Sequence, residues 1–201
     1  MTTARDLLII AMDVAPSRPV EQGDLSLALA GAEAIDLLGS QAITLDGDRI
    51  VPGYRPTLAD RLLDEAASSL IREAPHESVD DWLWRRGRGL SSTYLTALEA
   101  EGQLTRQGRR GFLTRTSRVE LVDSPDRRRA ADRWTSNEPV LAALASAVGI
   151  RDARTGEPPS VDDDAVATVL AAVNDALLEL EAVRRRRAIE EAAFDNIWRG
   201  E

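Results

Sequence analysis

The stretch Leu25-Ser26-Leu27-Ala28-Leu29-Ala30-Gly31-Ala32-Glu33-Ala34-Ile35-Asp36-Leu37-Leu38 decides the architecture of this chain. It is apolar almost all the way round, with Glu33 and Asp36 as its only charges. A helix without a polar face belongs in the middle of a domain, covered on every side. Asp24 is placed to cap its start and Gly39 to stop it. The rest of the chain has to supply the cover.

On the N-terminal side, Arg5 to Met12 reads as a short helix or a buried strand, and the aliphatic run alone does not separate the two. Pro16 and Pro19 then make a loop. On the C-terminal side, Ala42 to Leu45 and Asp48 to Val51 flank Asp46-Gly47, a hairpin signal, because Asp-Gly supplies the positive φ of a tight turn. Thr57 opens a helix with Asp60 three residues on, Leu58, Leu62, Leu63, Ala66 and Leu70 share one of its faces, and Pro75 ends it. Ser78 caps Val79 to Arg86, and a helix from Leu90 to Glu101 stops at Gly102. A second hairpin follows: Gln103 to Arg106, a turn at Gln107-Gly108, then Gly111 to Arg115. Pro125 to Trp134 and Val140 to Val148 read as short helices.

Gly156-Glu157-Pro158-Pro159 is linker-like, so residues 156–160 separate the body from a long C-terminal helix. Ser160 is placed to cap that helix, and Asp162, Asp163 and Asp164 in its first turn favour the dipole. Successive helical residues point about 100° apart, so these three carboxylates do not converge on one metal ion. Val166, Val169, Leu170, Val173, Leu177 and Leu180 form its apolar stripe. The expected fold is one compact, mainly α domain over residues 1–201, with about eight helices and two β-hairpins.

Composition narrows the chemistry. The 201 residues are 43% hydrophobic and 29% charged, ordinary values for a globular chain. There is no cysteine, and His76 is the only histidine, so thiolate chemistry, catalytic triads and two-histidine metal sites lack raw material. The expectation is a binding module without catalysis, metal or cofactor. The longest N-terminal aliphatic run, Leu7 to Met12, is far below the roughly 18 residues of a spanning helix. A cytoplasmic location, peripheral to a membrane at most, follows as the expected address.

All 25 basic residues are arginine, which together with abundant alanine reads as a GC-rich bacterial gene. Their placement is more informative. Between Trp82 and Arg118 stand eight arginines against Glu99 and Glu101, a local balance of +6 in a chain of net charge −9, so −15 lies elsewhere. Arg85, Arg86 and Arg88 precede a helix start, and Arg106, Arg109, Arg110 and Arg115 follow on the hairpin. Guanidinium forks beside a helix N-terminus suit a phosphate, although charges that merely keep a hairpin soluble would look the same. The run Arg184 to Arg187 faces every direction of a helix and reads as a solvated segment partly neutralised by Glu179, Glu181, Glu190 and Glu191.

Two architectures present such an island. In a winged helix, the stretch from Leu90 to Arg115 would set a helix in a DNA groove and a basic wing on phosphates. That helix, however, offers Ser91, Ser92, Thr93, Thr96, Glu99 and Glu101 and no arginine. The other architecture spans residues 5 to 150. It is carried by Asp6-Leu7-Leu8-Ile9-Ile10-Ala11-Met12-Asp13, by Leu27 to Ala32 and Asp36-Leu37-Leu38, by Pro56-Thr57 and Leu62 to Ala66, by Val79 to Leu83, and by Leu98 to Leu104. In order and spacing these resemble the Golgi phosphoprotein 3 family, including its bacterial members.

The resemblance implies a helical domain that binds phosphatidylinositol 4-phosphate at a basic surface, with a hairpin beside it. It also implies the role of a peripheral membrane adaptor. Of the four headgroup positions it carries over, Arg88 is kept, while Glu21, Ala30 and Ser91 stand at the other three. The expected lipid-phosphate site is therefore Arg88, with Arg85, Arg86 and Arg115 as compensating neighbours. Phe112 and Leu113 are the apolar pair of the membrane-contact hairpin.

Overall fold

The computed structural model describes residues 2–14, 20–54, 56–107, 118–150 and 160–199. Its helices are α1 (Thr3–Asp13), α2 (Gln22–Gly39), α3 (Arg61–Ser68), α4 (Val79–Arg86), α5 (Leu90–Ala100), α6 (Pro125–Thr135), α7 (Pro139–Ala147) and α8 (Asp164–Arg199). Two antiparallel pairs, β1 (Ile43–Asp46) with β2 (Arg49–Pro52) and β3 (Leu104–Gln107) with β4 (Arg118–Leu121), complete the described elements. The expected mainly α architecture with two strand pairs is what forms. Among the described residues no helix is long and apolar enough to cross a membrane.

The apolar stretch is the central helix, α2. Everything from Leu25 to Ile35 is buried, and α1, α3, α4, α5, α7 and α8 all pack on it. Gly31 explains how α8 comes so close: a Cβ there would stand 2.3 Å from Cγ2 of Val173. Gly23, two turns earlier, faces Leu180 and Arg184, so α8 runs antiparallel to α2. Trp82 and Tyr94 are the largest fully buried side chains, and the Trp82 indole N–H donates to the Ala30 carbonyl at 3.0 Å.

Among the described residues the charged side chains classed as buried, Arg5, Asp6, Glu33 and Glu77, are each ion-paired. Arg5 of α1 binds Asp60 and grips both Glu101 oxygens at 2.6 Å, tying α1 to the start of α3 and the end of α5. Arg133 reaches Asp6 at 2.5 Å and Glu138 at 2.8 Å. Burial pushes the Asp6 carboxyl above the usual range, and Arg133 opposes it.

Several boundaries differ from expectation, each for a local reason. The α1 segment is a helix, because the Thr2 hydroxyl caps it by accepting from the Arg5 N–H. Helix α2 begins at Gln22 rather than after Asp24, whose carboxylate is engaged by Arg184. Helix α3 begins at Arg61, not Thr57, because Asp60 accepts from the Leu63 N–H at 3.0 Å, and it ends at Ser68, well before Pro75. Asp163, accepting from the Val166 N–H at 3.0 Å, caps α8 in place of Ser160. The Ser78 cap of α4 forms as expected, as a reciprocal box with Asp81.

In the first hairpin Asp46 pairs with Arg49, so the two-residue loop is Gly47-Asp48, with φ +59° at Gly47, one residue later than expected. The second hairpin departs further. Gln107 pairs with Arg118, so Gln107-Gly108 is not its tip; the described part of the return strand is Arg118–Leu121, and the expected return strand, Gly111 to Arg115, lies outside the described residues. The register matches Leu104 to Leu121, and both pack on the core. Residues 108–117 lie outside the described residues, as does the linker-like Gly156 to Pro159.

Asp36 of α2 caps α1 from outside, accepting the N–H groups of Thr3 at 2.8 Å and Ala4 at 3.4 Å. Burial nonetheless pushes its carboxyl up to about 6 from 3.8, against the pull of those donors. The folded chain thus takes up this proton before the unfolded chain does. The contribution is greatest below about pH 4 and is lost as pH rises through 6, up to about 3 kcal/mol in all. Urea denaturation of wild type and Asp36→Asn at pH 7.5 and 5.5 measures it. Wild type is expected to gain more on acidification than the variant, and parallel curves would contradict the assignment.

Candidate functional site

The arginines around the α4–α5 junction are not equivalent. Arg85 grips the buried Glu77 carboxylate, with Nη2 at 2.6 Å from Oε1 and Nε at 3.0 Å from Oε2, and lies 5.2 Å over the Trp82 ring. Arg86 points inward, Nε at 2.7 Å and Nη2 at 2.8 Å from the two oxygens of Glu33, which is 0% exposed. The Tyr94 hydroxyl donates to the same carboxylate at 3.0 Å. Burial pushes Glu33 upward, while Arg86 and Tyr94 pull it back. Both guanidinium groups are thus committed to buried carboxylates, positions that sequence alone treated as open to a ligand.

Arg88 is exposed and has no polar partner among the described residues. It opens on a groove of ≈330 Å³ between the start of α2, the α4–α5 junction and α8. Gln22, Ser26, Trp84, Ser92 and Leu180 stand beside it. The α4–α5 junction is sharp because Gly87 presses its backbone on Leu83 and Leu27, and Gly89 takes φ +68° as the residue before α5. No side chain caps α5. Of its first amides, Leu90 donates to the Gly87 carbonyl and Ser91 to the Ser26 hydroxyl at 3.1 Å. The Ser92 N–H is left without a partner among the described residues, beside Arg88. A guanidinium and a helix-start amide on one groove are groups of the kind that suit a phosphate oxygen.

The three departures from the family pattern have structural counterparts. Ala30 is fully buried in the core and lends its carbonyl to Trp82. Ser91 is buried, and its hydroxyl pairs with Ser26 at 2.9 Å, knitting α5 to α2. Glu21 is the exposed residue before α2. Arg115, Phe112 and Leu113, with Arg109 and Arg110, lie outside the described residues.

Sequence reasoning missed Trp84 and the α8 contribution. The apolar stripe of α8 announces that it packs, but not on what. Arg184, expected to be solvated, instead crosses to Asp24 of α2 at 2.7 Å, while Arg185 makes the expected pair with Glu181. The DNA-binding reading is not supported. One face of α5 is spent on the core through Leu90, Tyr94, Ala97 and Leu98, and its exposed face, Ser92, Thr93, Thr96 and Glu99, carries no cation. Among the described residues no cluster of three or more potential metal ligands occurs.

The fold is that of a helical module with an exposed groove beside Arg88. Residues 4–192 match the Golgi phosphoprotein 3 (GPP34) family, and the chain belongs to it. Among curated proteins none matches this sequence.

Proposed function

We propose that the protein is a non-catalytic module that holds the phosphate of an anionic lipid headgroup at Arg88 and docks reversibly on anionic membrane surface. The observation that carries this reading is that Arg88, alone among the three junction arginines, has no partner among the described residues and lines a groove. Membership of a family associated with phosphoinositide binding supports the same class of ligand. In this reading Phe112 and Leu113 meet the membrane and Arg115 adds charge near it, while Arg85 and Arg86 hold the junction in shape. A few arginines at about 1 kcal/mol each, opposed by an acidic body, give transient docking rather than anchoring.

Flotation with anionic liposomes at low and high salt tests it. Wild type is expected to float at low salt and to be released at high salt. Arg88→Ala is expected to lose about 1 kcal/mol, roughly fivefold in affinity. An Arg88→Ala variant that floats as well as wild type would overturn the proposal.

A further inference from the structure

We infer that the exposed half of α8 pairs antiparallel with the same segment of a second copy of this chain, across a two-fold axis at Ala188. Up to Arg184 the helix is held by the body. Val169, Val173 and Ala176 are buried, and Arg184 is tied to Asp24 of α2 at 2.7 Å. From Arg185 to Ala192 every residue is exposed, yet the helix continues to Arg199, about 22 Å beyond Arg184. A helix in a protein owes most of its stability to the face it packs, and a stretch of this length on its own is marginal in water.

One face of that half is apolar and uncovered. Leu178 is 69% exposed and Ile189 70%, and with the exposed Ala182 they fall within about 40° of one another around the helix. Arg185 beside them is paired with Glu181 at 2.9 Å, whereas Arg186 and Glu190 have no partner among the described residues. Their order, arginine four residues before glutamate, is the weaker one for a pair within a helix. A second copy answers both features. An antiparallel helix reverses the residue order, so with the axis at Ala188 each Arg186 faces the partner's Glu190. Symmetry makes that pair twice, and the apolar face is covered in the same contact. A parallel pair would instead set Arg186 against Arg186 and Glu190 against Glu190. An anionic membrane is opposed on this segment by Glu190 and Glu191. Four helical turns a side make a small interface, below about 1,200 Å², so the dimer is weak.

Sedimentation equilibrium of the full chain between about 1 and about 200 µM, the range of a weak interface, tests this. Wild type is expected to pass from monomer to dimer across that range. Arg186→Glu and Glu190→Arg, each alone, set like charges together and are expected to weaken association at least about tenfold. An equimolar mixture of the two variants restores both pairs and is expected to dimerise about as tightly as wild type, with circular dichroism unchanged throughout. The chain has no cysteine, so Asp175→Cys takes a single spin label. Two such labels should stand about 40 Å apart in the antiparallel dimer and about 10 Å apart in a parallel one. A wild type that stays monomeric, a mixture no better than either variant alone, or a separation near the shorter value overturns the inference. So does an Arg186→Glu variant that dimerises like wild type but no longer floats with anionic liposomes, which would give this face to the membrane.

Discussion

Replacing Arg86 with alanine is expected to lower the unfolding free energy by about 3–5 kcal/mol, the cost of leaving a buried charge without its partner. Glu33 sits on α2 with no solvent exposure and depends on two bonds from Arg86 and one from Tyr94. A domain of this kind has about 5–15 kcal/mol in total, so the loss is a large share. The pH dependence gives the cause away. Glu33 without Arg86 is pushed further above the usual carboxylate range, so the folded variant binds a proton that the unfolded chain releases. The penalty should therefore shrink as pH falls, and Glu33→Gln in the Arg86→Ala background should recover part of it at neutral pH. Urea denaturation at two pH values reads both effects, and a loss below about 1 kcal/mol would contradict the buried pairing.

Gly31→Val is the second large effect. In an open helix, replacing glycine removes a penalty of about 1 kcal/mol. Here any Cβ meets Val173 at 2.3 Å, so α8 must move away from α2. Overpacking of this kind costs about 1–3 kcal/mol, and a valine adds two further methyl groups to the clash. The strain is shared by two residues and should be repaired jointly. Gly31→Ala with Val173→Ala is expected to be closer to wild type than the sum of the single changes. Amide exchange along α8 should speed up in Gly31→Val before exchange in α1 does. Unchanged thermal stability and unchanged α8 exchange would contradict the close crossing.

The same crossing marks where the sequence stops being readable. The central helix was legible because Leu25 to Leu38 leaves no polar face, so burial on all sides was its only stable placement. Element types elsewhere followed from caps and breakers such as Ser78, Gly102 and Pro139. Boundaries slipped where two capping residues competed, as Thr57 and Asp60 do, since only geometry shows which side chain reaches an amide. The β3–β4 register was hidden because the pattern of Gln107-Gly108 mimics a short turn, whereas Gln107 itself is paired with Arg118. Arg88 stood out in the sequence through both the basic island at a helix start and the family resemblance. That Arg85 and Arg86 serve Glu77 and Glu33 could not be read, because those partners lie 8 and 53 positions away in the chain. For the same reason Leu180 and Trp84 gave no sign of lining one groove. Contacts of that separation are products of the fold.

The central claim is that phosphate is held at the α4–α5 junction by Arg88, and an amide NMR titration with inositol monophosphate tests it most directly. Saturable shifts are expected at Gly89 and Ser92, with smaller ones at Gln22 and Ser26, and in Arg88→Ala at unchanged stability they should need at least about fivefold more ligand to reach half-saturation. Shifts that are scattered over the exposed Arg128 and Arg129, do not saturate, or half-saturate at the wild-type ligand concentration in Arg88→Ala would contradict the account.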